Sequence, residues 1–416
     1  MIQTLIFDFG GVLMRTVTRE PRRELERRLG LEADGLSAAV FGNPRWDDVQ
    51  LGRITYIEFW EDVARRLGWD GDAKELGDAF WSGDRLDEEL VSLIRRLRGA
   101  GFRTALLSNA PSHLRRFVEE MGIADAFDVI VISAEEGLMK PDPAIFELAL
   151  ARLGVRAEEA VFVDDFRMNV AAARQIGLHA LRFRGLAPLR KQLRELGIPV
   201  PDPVREPVPD VRAVIFDWGG VLEALPDDGH VAAWERRLGL EAGLLPRALW
   251  GQIWRQLSIG AIDREEYVAR IAERLGLPDA EAGRRFMAEF YSGDRFYPQV
   301  AAAVRALRGR YLVALLSNAM PGQAERVHER HGFDIHAEFD VYINSSEVGL
   351  RKPDPAVFHL ALERLGVEPG QAVFLDDMVY NVDMASELGI HTVQFVDPET
   401  SLVELESLLG EPGLAG

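Results

Sequence analysis

Both halves of this chain carry the same set of chemically competent residues in the same order. Each half has an aspartate that ends an apolar run, then a serine, a lysine before a proline, and two adjacent aspartates. These residues are Asp8, Ser108, Lys140, Asp164 and Asp165 in the first half, and Asp217, Ser317, Lys352, Asp376 and Asp377 in the second. A carboxylate can attack phosphorus to form an aspartyl-phosphate, and acids beside phosphate suit a hard ion such as Mg²⁺. The set therefore predicts phosphoryl transfer.

The spacing of these residues indicates a duplicated domain. The first aspartate lies 100 residues before the serine in both halves, and the lysine lies 24 residues before the aspartate pair. The segment from serine to lysine differs slightly, at 32 and 35 residues. Solenoid repeats are typically only ~20–50 residues long, so each repeat here is a whole domain.

Lysine usage singles out one motif. The chain has 44 arginines but only four lysines, Lys74, Lys140, Lys191 and Lys352, and the second half has only the last of these. A compact ammonium differs from a planar guanidinium at a crowded anion site. We therefore interpret Lys140 and Lys352 as functional. The aspartate and serine motifs also have structural interpretations, as a turn former and a helix N-cap.

Short apolar runs alternate with helical patterns, which predicts an α/β fold. The predicted strands of the first half are Thr4–Phe7, Thr104–Leu107, Val129–Ile132 and Val161–Val163, and the helices between them are Asp87–Arg98, Pro143–Leu153 and Met168–Ile176. Such alternation predicts a Rossmann-like parallel sheet in each half, with ligands beyond the carboxyl ends of the strands. A helical cap, with no convincing strand, is predicted after the first strand.

The predicted domain boundaries follow from the repeat and from a proline-rich join. Domain 1 spans residues 1–197 with its cap at about 14–95, and domain 2 spans 211–410 with its cap at about 223–305. Residues 198–210 contain five prolines and are predicted to be an extended linker, and 411–416 form a tail.

The amino-acid composition limits the classes of partner and of chemistry that the chain can have. The net charge is −19, divided as −5 for residues 1–209 and −14 for 210–416, which disfavours nucleic acid. Cysteine is absent, so disulfides and thiol catalysis are excluded. There is no long apolar run and no signal-peptide pattern at the N-terminus, so we expect a cytoplasmic protein without a membrane span. A small anionic substrate remains compatible if a divalent cation is bound.

The motif set resembles the haloacid dehalogenase-like hydrolase superfamily with its type-one helical cap. Within it, the Phe-Asp-x-Gly-x-Val sequence is similar to sugar-1-phosphate phosphatases and to the phosphatase domain of soluble epoxide hydrolase. The resemblance implies that Asp8 and Asp217 are nucleophiles and metal ligands. The other implied roles are Mg²⁺ binding by Gly10, Gly219, Asp165 and Asp377, with Asp164 and Asp376 as supporting or alternative ligands, phosphoryl binding by Ser108, Ser317, Asn109 and Asn318, and charge neutralisation by Lys140 and Lys352.

Both halves depart from this family pattern at one position. Many phosphatases of the superfamily have a second aspartate, for proton transfer, two residues after the nucleophile, whereas this chain has Gly10 and Gly219. Three explanations follow: a good leaving group such as a sugar-1-phosphate, a proton from water or the cap, or dehalogenase- or phosphonatase-type chemistry. The acidic pair disfavours the dehalogenases, which use no metal.

The sequence leaves further alternatives open. Only one half could be catalytic, with the other a pseudo-subunit or scaffold, and the halves could pack as a pseudo-dimer. The sequence does not identify the substrate, which is expected to be a small phosphorylated metabolite. Specificity in this architecture resides in the cap, and the two caps differ in most side chains, so the halves could have different substrates.

Overall fold

The computed structural model describes residues 1–200, 206–411 and 413–414, which form two compact units, Met1–Asp202 and Pro203–Gly416. The middle of the predicted linker and most of the predicted tail lie outside the described residues. At the flanks of the linker, Ile198 and Val200 pack into the core of the first unit, and Val208 packs against that of the second. The predicted domain boundaries remain predictions.

Each unit contains a five-stranded parallel sheet, as the sequence pattern predicts. The strand order in the first is Val129–Ile132, Arg103–Ser108, Thr4–Phe7, Ala160–Asp164, His179–Arg182. In the second it is Val341–Asn344, Leu312–Ser317, Ala213–Phe216, Ala372–Asp376, His391–Gln394. The first strand is thus central in both sheets, flanked by the strands that carry the serine and the aspartate pair.

Helices cover both faces of each sheet. Successive strand residues point to opposite sides of a sheet, and here the apolar residues on both sides are buried. Leu5 and Phe7 pack into one core cluster, and Ile6 packs into another. The helices beside the first sheet are Glu88–Gly99, Leu114–Glu120, Ser133–Glu136, Pro143–Leu153, Arg167–Gln175 and Leu186–Glu195, with 3₁₀ turns at Ala124–Ala126 and Ala157–Glu159. Those beside the second are Pro298–Leu307, Gln323–His331, Ile335–Glu338, Ser345–Val348, Pro355–Leu365, Val379–Glu387 and Pro398–Leu409, with a 3₁₀ turn at Pro369–Gln371.

The predicted caps are helical inserts after the first strand, each with its own aromatic-rich core. The first contains Glu20–Leu29, Gly35–Phe41, Trp46–Gln50, Tyr56–Leu67 and Ala73–Trp81. The second contains Asp228–Leu238, Leu244–Trp250, Gln252–Leu257, Arg264–Arg274 and Ala280–Phe290, followed by the 3₁₀ turn Tyr291–Gly293. Helix Glu88–Gly99, which the predicted cap boundary near residue 95 divides, packs with the sheet.

The expectation of a cap without strands was wrong for the first half. Met14–Thr16 and Asp84–Leu86 pair antiparallel and form the base of the cap. Each strand is only three residues long and its partner is distant in sequence, so neither produces a visible alternation of apolar and polar residues. In the second half the corresponding contact is a single bridge between Glu223 and Phe296.

No helix of the described residues combines the length and the apolar content that a membrane crossing requires.

Candidate active site

Three adjacent strands bring the predicted residues to one edge of each sheet. Asp8 directly follows the central strand Thr4–Phe7, while Ser108 and Asp164 are the last residues of the neighbouring strands. Because parallel strands share the direction in which they end, these side chains converge beyond the carboxyl ends. Asp217, Ser317 and Asp376 occupy the same positions in the second sheet.

A buried lysine links two of the carboxylates in each half. Lys140 Nζ lies 2.8 Å from Asp8 Oδ1 and 2.7 Å from Asp164 Oδ2. In the second half, Lys352 Nζ lies 2.8 Å from Asp217 Oδ1 and 2.6 Å from Asp376 Oδ2. Burial alone would lower the pKa of both lysines, but the two carboxylates outweigh it and raise the pKa. The lysine therefore stays charged and holds the two acids together.

The asparagine after each serine supports the lysine through its side chain. Asn109 Nδ2 donates to the Lys140 carbonyl at 2.7 Å, and the Lys140 amide donates to Asn109 Oδ1 at 2.8 Å. Asn318 makes the same pair of bonds with Lys352, both at 2.9 Å. The sequence predicted a phosphoryl-binding role for these asparagines and did not reveal this second contribution, which fixes the backbone at the lysine.

The two carboxylate oxygens of Asp8 differ in their contacts. Its Oδ1 accepts from Lys140 and from the Phe9 amide at 2.7 Å, and among the described residues no donor reaches Oδ2. Burial, opposed by Lys140 and reinforced by Asp164 and Asp165, raises the pKa of Asp8 to about 8. Burial likewise raises the pKa of its counterpart Asp217 to about 7.

The two adjacent aspartates have different surroundings. Asp164 is fully buried and accepts from Lys140, from the Phe166 amide at 2.8 Å and from Asn169 Nδ2, which lies 3.1 Å from both of its oxygens. Asp165 is exposed at the rim, yet the protein atoms around it, followed by the charge of Asp164, raise its pKa to about 6. Both oxygens of Asp164 therefore already accept hydrogen bonds from the protein.

The acids of each half fit a divalent cation. One oxygen each from Asp8, Asp164 and Asp165 lie within 4.8 Å of one another, as do oxygens of the three matching aspartates of the second half. In addition, Asp377 Oδ1 is buried without a hydrogen-bond donor among the described residues. A buried anionic oxygen with no donor is costly unless a cation binds it, and clustered carboxylate oxygens are the ligands that Mg²⁺ prefers.

The second glycine of each Gly-Gly pair allows this cluster to close. A Cβ placed on Gly11 would lie 2.3 Å from Asp165 Oδ2, and one on Gly220 would lie 2.4 Å from Asp377 Cγ. Both glycines also have positive φ, at 78° and 83°. Gly10 differs, because a Cβ there would meet nothing within 4 Å. The sequence drew attention to Gly10 and did not reveal the constraint at the next position.

One cap residue that the sequence did not single out contacts the serine loop of the first half. Gln50 Nε2 donates to the Asn109 carbonyl at 3.2 Å, and Ser133 Oγ donates to the Gln50 carbonyl at 2.6 Å. The matching position of the second half, counted from the shared Gly-x-Ile sequence, is Ser258, whose hydroxyl donates within the cap to Arg255. The contact between cap and loop therefore differs between the halves.

We expect Mg²⁺ to raise the melting temperature more at pH 8 than at pH 5.5. The pKa values of Asp8, Asp217 and Asp165 are raised above the value of about 4 in an unfolded chain, so the metal-free protein loses stability as pH rises from about 4 to about 8. A bound cation removes that loss by stabilising the ionised forms. Calorimetry with and without Mg²⁺ at both pH values measures the difference, and an equal increment at both would contradict it. Replacing Asp165 and Asp377 by asparagine should abolish the increment.

Comparison with known proteins gives two consecutive matches to one family model. The model, described as haloacid dehalogenase-like hydrolase, matches residues 2–177 and again residues 211–389. Two solved structures align with about half of the chain. They are a HAD-like family hydrolase from Porphyromonas gingivalis (25% identity, TM-score 0.40, 47% of this chain and 98% of that one) and a HAD family enzyme from Bacteroides thetaiotaomicron (26%, 0.38, 44% and 92%).

Three similar curated proteins cover very different shares of their own length. They are acyl-CoA dehydrogenase family member 10 of Mus musculus (33% identity over 215 residues, 48% of this chain and 19% of that protein), sesquiterpene phosphatase astK of Aspergillus oryzae (30% over 195 residues, 46% and 94%) and phosphoserine phosphatase of Thermus thermophilus (38% over 122 residues, 28% and 49%). The match thus spans about a fifth of the mouse protein and nearly all of the Aspergillus protein.

Proposed function

Because the chain belongs to the haloacid dehalogenase-like hydrolase family and is a hydrolase of the phosphatase type, we propose that each half is a Mg²⁺-dependent phosphatase that acts on a small phosphorylated metabolite through an aspartyl-phosphate. The observation that carries the proposal is the nucleophile geometry. Lys140 and the Phe9 amide hold Oδ1 of Asp8, while Oδ2 faces no donor among the described residues, beside an acid cluster suited to a cation.

The proposed reaction has two steps. Asp8 Oδ2 attacks phosphorus, the bond from phosphorus to the ester oxygen breaks, and the leaving oxygen takes a proton from water. A water molecule then attacks the phosphorus of the aspartyl-phosphate and gives up a proton to solvent, and the bond from phosphorus to Asp8 Oδ2 breaks, which releases inorganic phosphate and restores Asp8. Ser108 and the backbone after it bind the phosphoryl oxygens, and Lys140 neutralises charge on Asp8 and on the phosphoryl group. Asp217, Ser317 and Lys352 take the same roles in the second half.

The two adjacent aspartates of each half have different proposed roles. Asp8, Asp165 and the Gly10 carbonyl would hold Mg²⁺, with Asp217, Asp377 and Gly219 in the second half. Asp164 and Asp376 orient the lysine, because lysine and asparagine already occupy their oxygens. When bound, Mg²⁺ lowers the repulsion between the anionic nucleophile and the phosphoryl oxygens.

The relatives support the reaction class and leave the substrate open. Two of them are named phosphatases, one for a sesquiterpene and one for phosphoserine, and these leaving groups differ strongly in polarity. For this chain we propose a substrate whose leaving group departs without help from position 10 or 219, such as a sugar-1-phosphate. Phosphate release from a panel of phosphorylated metabolites, with Mg²⁺ and with a chelator, tests this proposal. Release from no member of the panel would count against it.

Installing the missing proton donor should widen the substrate range. We expect Gly10→Asp to raise kcat on alkyl phosphates by about 10²-fold, because general acid catalysis is worth that much for a poor leaving group. The site has room, since a Cβ on Gly10 meets no atom within 4 Å. Nitrophenyl phosphate, whose leaving group needs no proton, should respond little. These values are measured in an Asp217→Asn background.

A matched control for this gain lies one residue away. Gly11→Asp places a side chain where Asp165 already lies, so activity should fall. Equal responses of alkyl and nitrophenyl phosphates to Gly10→Asp would show that the glycine is not the reason for a preference for good leaving groups. In the second half, a Cβ on Gly219 would lie 3.5 Å from Leu225, in ordinary van der Waals contact, so the matching replacement has less free space than the one at Gly10.

A further inference from the structure

Three polar side chains form a chain of hydrogen bonds that ends on Ser317. Gln323, the first residue of helix Gln323–His331, donates from Nε2 to Ser317 Oγ at 3.0 Å. The Tyr342 hydroxyl donates to Gln323 Oε1 at 3.1 Å, and Asn344 Nδ2 donates to the Tyr342 oxygen at 3.1 Å. Asn344 and Gln323 are buried and Tyr342 is partly buried, so the bond to Ser317 forms away from bulk water. We call Gln323, Tyr342 and Asn344 the serine relay.

Backbone groups fix the direction of the serine relay. The Ser346 amide donates to Asn344 Oδ1 at 3.0 Å, and Asn344 Nδ2 lies 3.2 Å from the Met320 carbonyl, so the side-chain amide can face only one way. Tyr342 therefore accepts from Asn344 and uses its single hydrogen for Gln323 Oε1. This leaves the Gln323 amide group to donate to Ser317.

The direction of the relay determines what Ser317 can do. Because Ser317 Oγ accepts from Gln323, its own hydrogen is not used by the relay and remains for another acceptor. The proposed function places the phosphoryl oxygens there. Burial raises the pKa of Tyr342 to about 12, so its hydroxyl stays protonated and can keep donating. Successive hydrogen bonds of this kind polarise one another, which strengthens the donor at the end.

The first half has no serine relay. Leu114 is six residues after Ser108, as Gln323 is six after Ser317, and both begin the helix that follows. The strand positions that match Tyr342 and Asn344 are Ile130 and Ile132, in the same register beside the serine strand. None of these three side chains can donate or accept a hydrogen bond.

We propose that Gln323, Tyr342 and Asn344 position Ser317, so that the second site binds the phosphoryl group more tightly than the first. The proposal rests on the proposed function for the identity of the group that Ser317 binds. Gln323, Tyr342 and Asn344 are positioning residues, because they act through the serine. Pre-orienting a donor strengthens its bond to an anion, since no reorganisation remains to be made on binding.

The test measures binding without turnover. Asp8→Asn with Ser108→Ala disables the first site of the full-length chain, and calorimetric titration with inorganic phosphate in Mg²⁺ identifies the second site as the step that Ser317→Ala removes. Gln323→Leu, which introduces the residue of the first half, should weaken that step about ten-fold, and Tyr342→Phe about five-fold, which corresponds to ~1 kcal/mol for a net hydrogen bond. Tyr311→Phe is the control, because its hydroxyl bonds Glu411 outside the site.

The double variant separates positioning from packing. If the relay acts through Gln323, Gln323→Leu with Tyr342→Phe should weaken phosphate binding no more than Gln323→Leu alone. Unchanged phosphate affinity in the folded single variants, additive losses, or a parent that binds no phosphate at the second site would each overturn the proposal. If phosphate binding responds as expected while no phosphorylated metabolite is hydrolysed, the proposed function fails and the relay stands.

Discussion

Replacing Asp8 and Asp217 together by asparagine should lower phosphate release by at least about 10⁴-fold, because each replacement removes a nucleophile that no other described residue provides. Asparagine keeps the size of the side chain and can still accept from Lys140 and Lys352, so the fold should be retained. Steady-state phosphate release with Mg²⁺ measures the loss, and the melting temperature of each variant controls for unfolding. Loss of less than ten-fold would mean that another group attacks phosphorus.

The two single replacements decide whether both halves are active. The lysine-to-carboxylate distances are nearly the same in the two sites, which favours two active halves. We therefore expect Asp8→Asn and Asp217→Asn each to remove one part of the activity and to leave the other. If one replacement abolishes all activity and the other has no effect, the inactive half is a pseudo-subunit.

Replacing Lys140 by methionine should abolish activity at the first site and lower the free energy of unfolding of that half by about 3–5 kcal/mol. The change leaves the Asp8 and Asp164 carboxylates facing each other without the ammonium that lies within 2.8 Å of both. Without that charge the pKa of Asp8 should rise above about 8. The loss of stability should therefore be larger at pH 8 than at pH 5, where the Asp8 carboxyl is neutral. Urea unfolding at pH 5 and pH 8 measures it.

The same half offers a matched control for the lysine prediction. Lys74 also pairs with an aspartate, Asp78, but both side chains are exposed on a cap helix. Exposed ion pairs contribute little because water and salt screen them. Lys74→Met should therefore leave unfolding and activity nearly unchanged. Equal effects of the two replacements would show that the position of Lys140 between two buried carboxylates gives it no particular importance.

Much of the fold and of the site was predictable because, in both repeats, the candidate site residues stand at the ends of predicted strands. Asp8, Ser108 and Asp164 were placed correctly because they end apolar runs, and parallel strands end at one edge. The sequence could rank Asp165 above Asp164 as a metal ligand only through family resemblance. The physical argument for that proposed ranking, that Asp164 already accepts hydrogen bonds from Lys140 and Asn169, depends on the conformation of each side chain.

Other features depend on contacts that no local pattern shows. The paired strands Met14–Thr16 and Asp84–Leu86 are separated in sequence by all the helices of the cap. Gly11 is constrained by Asp165, which is distant in sequence and follows the strand Ala160–Asp164. Nothing in the sequence distinguishes Gln323 from an ordinary first residue of a helix. Only its distance to Ser317 shows that the two sites differ in the support of the serine.

Trapping of the covalent intermediate is the most direct test of the central claim. After rapid quenching of the wild-type protein with a substrate and Mg²⁺, peptide mass spectrometry should find a phosphoryl group on the peptide that contains Asp8 and on the one that contains Asp217. Each label should disappear when its aspartate is replaced by asparagine. Phosphate release without a label on either peptide, or with a label on other residues that survives both replacements, would contradict the account.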